Sequence, residues 1–153
     1  MADAPDTDAP HADAAGDASR RVSTGGPWEA AYGYARAVRR GATVAVSGTT
    51  ASAHPDVIGG TAPLPPGAAD QARLAFEVAL AALARLGATP ADVIRTRMFV
   101  TDIAADGEAV GRVHAALFGA HPPAATMVEV TRLIRPDLRV EVEIDAVVTE
   151  RAS

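Results

Sequence analysis

The sequence predicts an α+β domain: one mixed β-sheet with two helices on one face, its elements in the order β-β-α-β-α-β-β. Three observations carry this. The stretch Asp70–Leu86 repeats apolar residues at helical spacing, and Val140–Asp145 alternates apolar and acidic residues at the spacing of a strand. Between and around them, short β-rich runs are separated by Gly and Pro clusters. A chain of 153 residues is one domain by length, with enough residues for a real core.

The elements follow in order. Residues 1–20 hold five Asp and one Arg, so this segment alone carries four of the five net negative charges of the chain. With seven Ala and no β-branched or aromatic residue except Thr7, it has too little apolar area to offset the entropy of ordering it, and it reads as a disordered acidic tail ahead of a domain spanning 21–153. In YGYARAVRRGATVAVSGTT, Tyr32–Thr50, Val38 runs toward a turn at Arg40-Gly41 and Thr43–Ser47 returns as a second, antiparallel strand. Residues 51–67, with His54-Pro55, Gly59-Gly60 and Pro65-Pro66-Gly67, read as a long irregular loop, a class of segment often functional.

Asp70–Leu86 is the strongest helix. Ala72, Phe76, Ala79, Leu80, Leu83 and Leu86 share one face, and Gly87 supplies the stop. Ile94–Asp102 reads as a strand with Arg95, Arg97 and Phe99 on one side and Thr96, Met98 and Val100 on the other. A second helix is predicted over Glu108–Phe118 with Asp106 as its cap and Val110, Val113 and Leu117 inward. Thr126–Arg132 and Arg139–Val148 are the last strands, joined by a turn at Pro136-Asp137.

Composition excludes several chemistries. The chain has no cysteine, hence no thiol catalysis, Cys-zinc site or disulfide. All of its basic residues are Arg, so no lysine is present to form a Schiff base. The four histidines, His11, His54, His114 and His121, show no ligand-like pairing, and no phosphate loop or nucleophile elbow occurs. With the tail set aside the body stands near one negative charge, which argues against nucleic-acid binding by bulk charge. The longest apolar run, Val78–Ala84, is too short for a bilayer, and the acidic N-terminus is unlike a signal peptide. A soluble cytoplasmic protein is the expectation.

The densest chemical signal is VEVEID. Glu141, Glu143 and Asp145 share one face of a strand, which is either an ordinary solvated face or, where one carboxylate is partly buried, a proton shuttle with a raised pKa. Arg97, mid-strand, fits a salt bridge to one of those acids or an anchor for an anionic substrate. His114, at the edge of a helical apolar stripe, fits a packing role or a place in a site.

Several segments together resemble the RidA (YjgF, L-PSP) reactive-intermediate deaminases: GYARAVRRGATVAVSGTT, QARLAFEVALAALARLGATPADVIRTRMFVTD, PPAATMVEVTRL and RVEVEIDAVV, covering about residues 32–148. The resemblance implies a chorismate-mutase-like fold and a homotrimer with clefts between subunits. It also implies hydrolysis of enamine or imine metabolites to a keto acid and ammonia without cofactor or metal. Carried over residue by residue, it implies substrate binding by Tyr34 and by the backbone at Ser47-Gly48, with water activated by Glu143; Thr126 and Met127 are candidates for the wall of the same site.

The departure lies in PPAATMVEV. Members of the family read P-A-R-S/T here and grip the substrate carboxylate with the Arg, where this chain has Ala125. Loss of such a bidentate pair removes on the order of 2–5 kcal/mol of anchoring, so simple amino-acid imines are poor candidates. Arg97 is then the candidate for a replacement anchor, with His114 a further candidate substrate contact. The chain reads as an Arg-lacking branch: an imine or enamine hydrolase or tautomerase of atypical substrate, or alternatively a trimer that binds a small metabolite without turnover. RNA cleavage ranks last, because the body is neither basic nor rich in stacking aromatics.

Overall fold

The alternation in Val140–Val147 builds the centre of the sheet. Val140, Val142, Ile144 and Ala146 are wholly buried, while Glu141, Glu143 and Asp145 point to the opposite face. The computed structural model describes residues 20–149. In chain order these form β1 (Arg20–Val22), α1 (Pro27–Tyr32), β2 (Ala37–Arg40), β3 (Thr43–Thr50), α2 (Pro55–Ile58), α3 (Ala68–Arg85), β4 (Val93–Val100), α4 (Ile103–Phe118), β5 (Ala124–Glu129) and β6 (Val140–Val147). The sheet runs β1-β2-β3-β6-β4-β5; β4 and β5 are parallel and every other pair is antiparallel. Both long helices, α3 and α4, pack against one face of it, giving the predicted α+β, chorismate-mutase-like architecture.

The core lies between that face and α3. Phe76 and Leu83 are fully buried, each worth about 1.5–3 kcal/mol of transfer free energy, and Ala72, Ala75, Ala79 and Ala82 let the helix sit close to the strands. The helix ends as expected. Gly87 takes a left-handed φ of 82°, and the Ala88 N–H closes back onto the Leu83 carbonyl at 3.3 Å.

Four expectations need correction. Arg20, assigned to the tail, opens a strand: Arg20–Val22 pairs with Ala37–Arg39, Val22 enters the core, and Arg20 donates to the Leu86 carbonyl at 3.0 Å. The rest of the tail, residues 1–19, lies outside the described residues.

Two short helices, α1 and α2, also went unforeseen. Each has proline at its start, where the fixed φ favours helix and no N–H is lost. The loop 51–67 is therefore only partly irregular.

Helix α4 begins at Ile103 rather than Glu108. Asp102 is its cap, accepting from the Ala105 N–H at 2.9 Å, and Asp106 instead receives Arg139 at 2.7 Å. Gly107 hid this first turn from a propensity reading; a Cβ there would crowd the Ile103 side chain one turn back, 3.0 Å from its Cγ1.

Finally, β5 starts at Ala124, two residues early, and stops at Glu129. The Glu129 carboxylate turns to accept the Ile103 N–H at 2.9 Å.

Candidate active site

A break in strand pairing prepares the site. Val46 pairs with Ile144 and Thr49 with Val142, so Ser47 and Gly48 together face the single residue Glu143. Such a bulge bends the strand and leaves backbone groups unpaired. The Ser47 N–H bonds the Arg36 carbonyl at 2.9 Å and its hydroxyl the Ala35 carbonyl at 2.8 Å, which fixes the bend against the segment entering β2.

Beside the bulge opens a cleft of about 630 Å³. Its floor is the open face of β3 and β6, with Gly48, Glu141 and Glu143; its walls are α1, Tyr34, α2 and the Ile134-Arg135 loop. Glu141 lies directly over Gly48: a Cβ built at Gly48 would stand 2.0 Å from Oε1, so only glycine leaves the carboxylate its place. Burial pushes the Glu141 carboxyl above its ordinary pKa, the neighbouring Glu143 charge pushes it further, and the Arg36 charge opposes them more weakly.

Arg36 organises this end of the cleft although its side chain is only 5% exposed. Its Nε donates to Glu29 Oε1 at 3.2 Å, its Nη1 to the Gly48 carbonyl at 2.8 Å and to Thr49 Oγ1 at 3.0 Å, and its Nη2 to the Tyr34 hydroxyl at 3.3 Å. The guanidinium carbon also stands 5.5 Å from the Tyr34 ring centroid. Glu29 in turn accepts from Thr24 Oγ1 at 2.6 Å, from the Thr24 N–H at 3.0 Å and from Ser23. Burial alone would raise the Glu29 carboxyl, but these hydrogen bonds and the Arg36 charge hold it below its ordinary value. The pair thus ties α1, and with it Trp28 and Tyr32, to the bulge.

The residues singled out from sequence separate into two groups. Tyr34, Gly48 and Glu143 line the cleft. Arg97 sits on the same face of the sheet but is absorbed by carboxylates, 3.4 Å from Glu143 Oε2 and 3.1 Å from Asp145 Oδ2, and does not line the cleft. Thr126 pairs with Arg97 in register, two strands away from Glu141, exposed on the edge strand.

His114 and Met127 lie away from this cleft. His114 lies on the helix side of the sheet, where Nε2 bonds Thr96 Oγ1 at 2.8 Å and the ring packs 4.8 Å from Phe118, so it cannot reach the cleft of its own chain. Burial lowers its pKa. Met127 faces the same way, toward Gly107 and Gly111 of α4. Among the described residues no group of three or more His, Asp or Glu is placed to hold a metal ion, and no helix is long and apolar enough to cross a membrane.

Glu141, Arg36, Trp28 and Arg135 were missed as cleft residues. Glu141 was visible as one of three acids on a face, but the alternation alone gives all three the same standing. Arg36 has the signal of a charged residue at the start of a β-run, which ordinarily means solvent.

Comparison with known proteins gives a consistent answer. The family model described as Endoribonuclease L-PSP matches residues 26–148. The uncharacterized protein SCO2049 of Streptomyces coelicolor is 38% identical over 130 residues, 85% of this chain and 92% of that protein. The crystal structure of Rv2704 from Mycobacterium tuberculosis, described as a member of the YjgF/YER057c/UK114 family, is 45% identical and superposes with a TM-score of 0.75 over 86% of this chain and 100% of that one. The YjgF gene product of E. coli is 30% identical, with a TM-score of 0.65 over 74% of this chain and 87% of its own. The chain belongs to the RidA/YjgF family.

Proposed function

We propose that this protein hydrolyses an imine or enamine, with Glu141 rather than Glu143 as the group that holds and activates water. The observation that carries the reading is the Glu141 carboxylate, its pKa raised by burial, poised over Gly48 in a cleft walled by Tyr34 and apolar side chains. A carboxylate of raised pKa is the stronger base near neutrality. It takes a proton from water as the oxygen adds to the C=N carbon and passes it to nitrogen; it then takes the proton of the carbinolamine hydroxyl and gives that to nitrogen too as the C–N bond breaks and the C=O bond forms. The products are a carbonyl compound and ammonia, and nothing in the step calls for a cofactor. An enamine first tautomerises to the imine by protonation at carbon, for which the protonated Glu141 is the available acid. Glu143, beside it, keeps Glu141 basic through charge repulsion and is itself held by Arg97.

The assembly proposed with this activity is a homotrimer in which a second copy closes the cleft, its β5 edge carrying Ala125 and Thr126. The Arg36–Glu29, Arg135–Asp137 and Arg97–Asp145 pairs occupy the arginines near the cleft, so RNA cleavage is not the reading it supports. Imines generated in situ by an amine or amino-acid oxidase, with semicarbazide trapping what remains, test the activity. Acceleration by the wild type that falls about a hundredfold or more in Glu141→Gln is expected. Equal rates with and without protein across the panel would leave a metabolite-binding trimer, the reading favoured by Ala125, in its place.

A further inference from the structure

Resting on the imine reading, we infer that the natural substrate of the cleft is an imine or iminium on an apolar body that bears no carboxylate. The reason is how the charges around the cleft are already spent. Arg36 gives four of its five N–H donors to Glu29, Gly48, Thr49 and Tyr34. Arg135, at the lip, is clasped by both carboxylate oxygens of Asp137, and Arg97 is held behind Glu143. The Glu141 side chain, by contrast, has no hydrogen bond and no ion pair among the described residues. What the cleft lacks is therefore a donor or a cation, not an anion. A substrate carboxylate entering here would face Glu141 and Glu143 on the floor, where Arg36 is already bonded and the other lining arginine, Arg135, stands at the lip against Asp137; position 125, on the edge strand, is alanine.

The walls say what the rest of the ligand is. Of the eight large hydrophobic side chains exposed among the described residues, five line this one cleft: Trp28, Tyr32, Tyr34, Ile58 and Ile134. Trp28 and Tyr32 lie stacked, centroids 5.3 Å apart, as a flat platform at its edge. Aromatic faces and aliphatic branches around a carboxylate suit an apolar body ending in an iminium nitrogen, the ring faces adding cation–π attraction. The reaction is R–CH=NH plus water to R–CHO plus ammonia, the proton passing through Glu141. Its substrate is supplied by oxidation of a primary amine rather than of an amino acid.

Trp28 is the chain's one tryptophan, so ligand entry reads directly in intrinsic fluorescence. The probes are stable and matched: 2-phenylethylamine, phenylalanine and 3-phenylpropionate, each titrated into the full-length protein. The amine is expected to bind at least about tenfold more tightly than either carboxylate, and Glu141→Gln to abolish that preference. Carboxylates binding as tightly as the amine, or no saturable signal from any probe, overturns the inference. Turnover separates it from the reading it rests on. Imines made by an amine oxidase and by an amino-acid oxidase are compared on the wild type. Faster hydrolysis of the amino-acid imine sinks the inference and leaves the hydrolase standing; amine-selective binding with neither imine hydrolysed overturns the hydrolase reading and the inference with it.

Discussion

Glu141 occupies the space that any side chain at Gly48 would fill: a Cβ there would lie 2.0 Å from its Oε1 and 3.1 Å from its Cδ. The site carboxylate and the bulge are therefore one unit. Gly48→Ala is expected to fold, because the atom displaced is the end of a flexible side chain, at a cost of about 1–3 kcal/mol. Imine turnover should nonetheless fall about as far as in Glu141→Gln. Thermal unfolding and semicarbazide-trapping rates on the same preparation check both halves.

The Arg36–Glu29 pair is buried on both sides. Arg36→Met leaves the Glu29 charge without its partner and is expected to cost about 3–5 kcal/mol, read by denaturant unfolding. The double variant Arg36→Met, Glu29→Leu should recover part of this. Because the Glu29 pKa is depressed in the folded state, its contribution is complete above the ordinary glutamate range and is lost as pH falls through the depressed value. Glu29→Gln should flatten the acid limb of the stability curve.

His114 predicts the opposite range. Its folded pKa lies below the ordinary imidazole value because burial disfavours the charged form. The unfolded chain therefore binds the proton more readily, and stability falls as pH drops below about 6.5 toward the folded value. Melting temperature against pH should show this slope in the wild type and lose it in His114→Gln, which retains a group for Thr96 Oγ1.

Gln71 sets one wall of the cleft from a distance. Wholly buried, it donates to the Pro65 carbonyl at 2.8 Å and the Asp137 carbonyl at 2.9 Å, and accepts from the Arg139 N–H at 2.8 Å. These bonds hold the loop that brings Ile134 and Arg135 to the cleft. Gln71→Leu strands three polar groups and is expected to destabilise by at least about 1–3 kcal/mol. It should also weaken amine binding at Trp28 although it touches no ligand.

Much of the fold was legible because its signals are local. The face of α3 through Phe76 and Leu83, and the alternation of β6, need only the periods of helix and strand. The errors fell where a local rule met a tertiary demand. Gly107 weakens a helix on paper but leaves room for the Ile103 side chain packed over it, and Arg20 looks like tail until β2 offers it a partner strand.

By itself, then, the sequence determined the class of the fold, the family, and the column of three acids facing away from the core. It also showed that position 125 offers no cation. Only the tertiary structure decided among the acids, since Glu141, Glu143 and Asp145 have the same local pattern and differ in what stands across from each. Glu141 lies over the glycine of the bulge among apolar walls, while Glu143 and Asp145 share Arg97. Strand register and burial are long-range properties, and they decide which carboxylate is partly withdrawn from water and has its pKa raised.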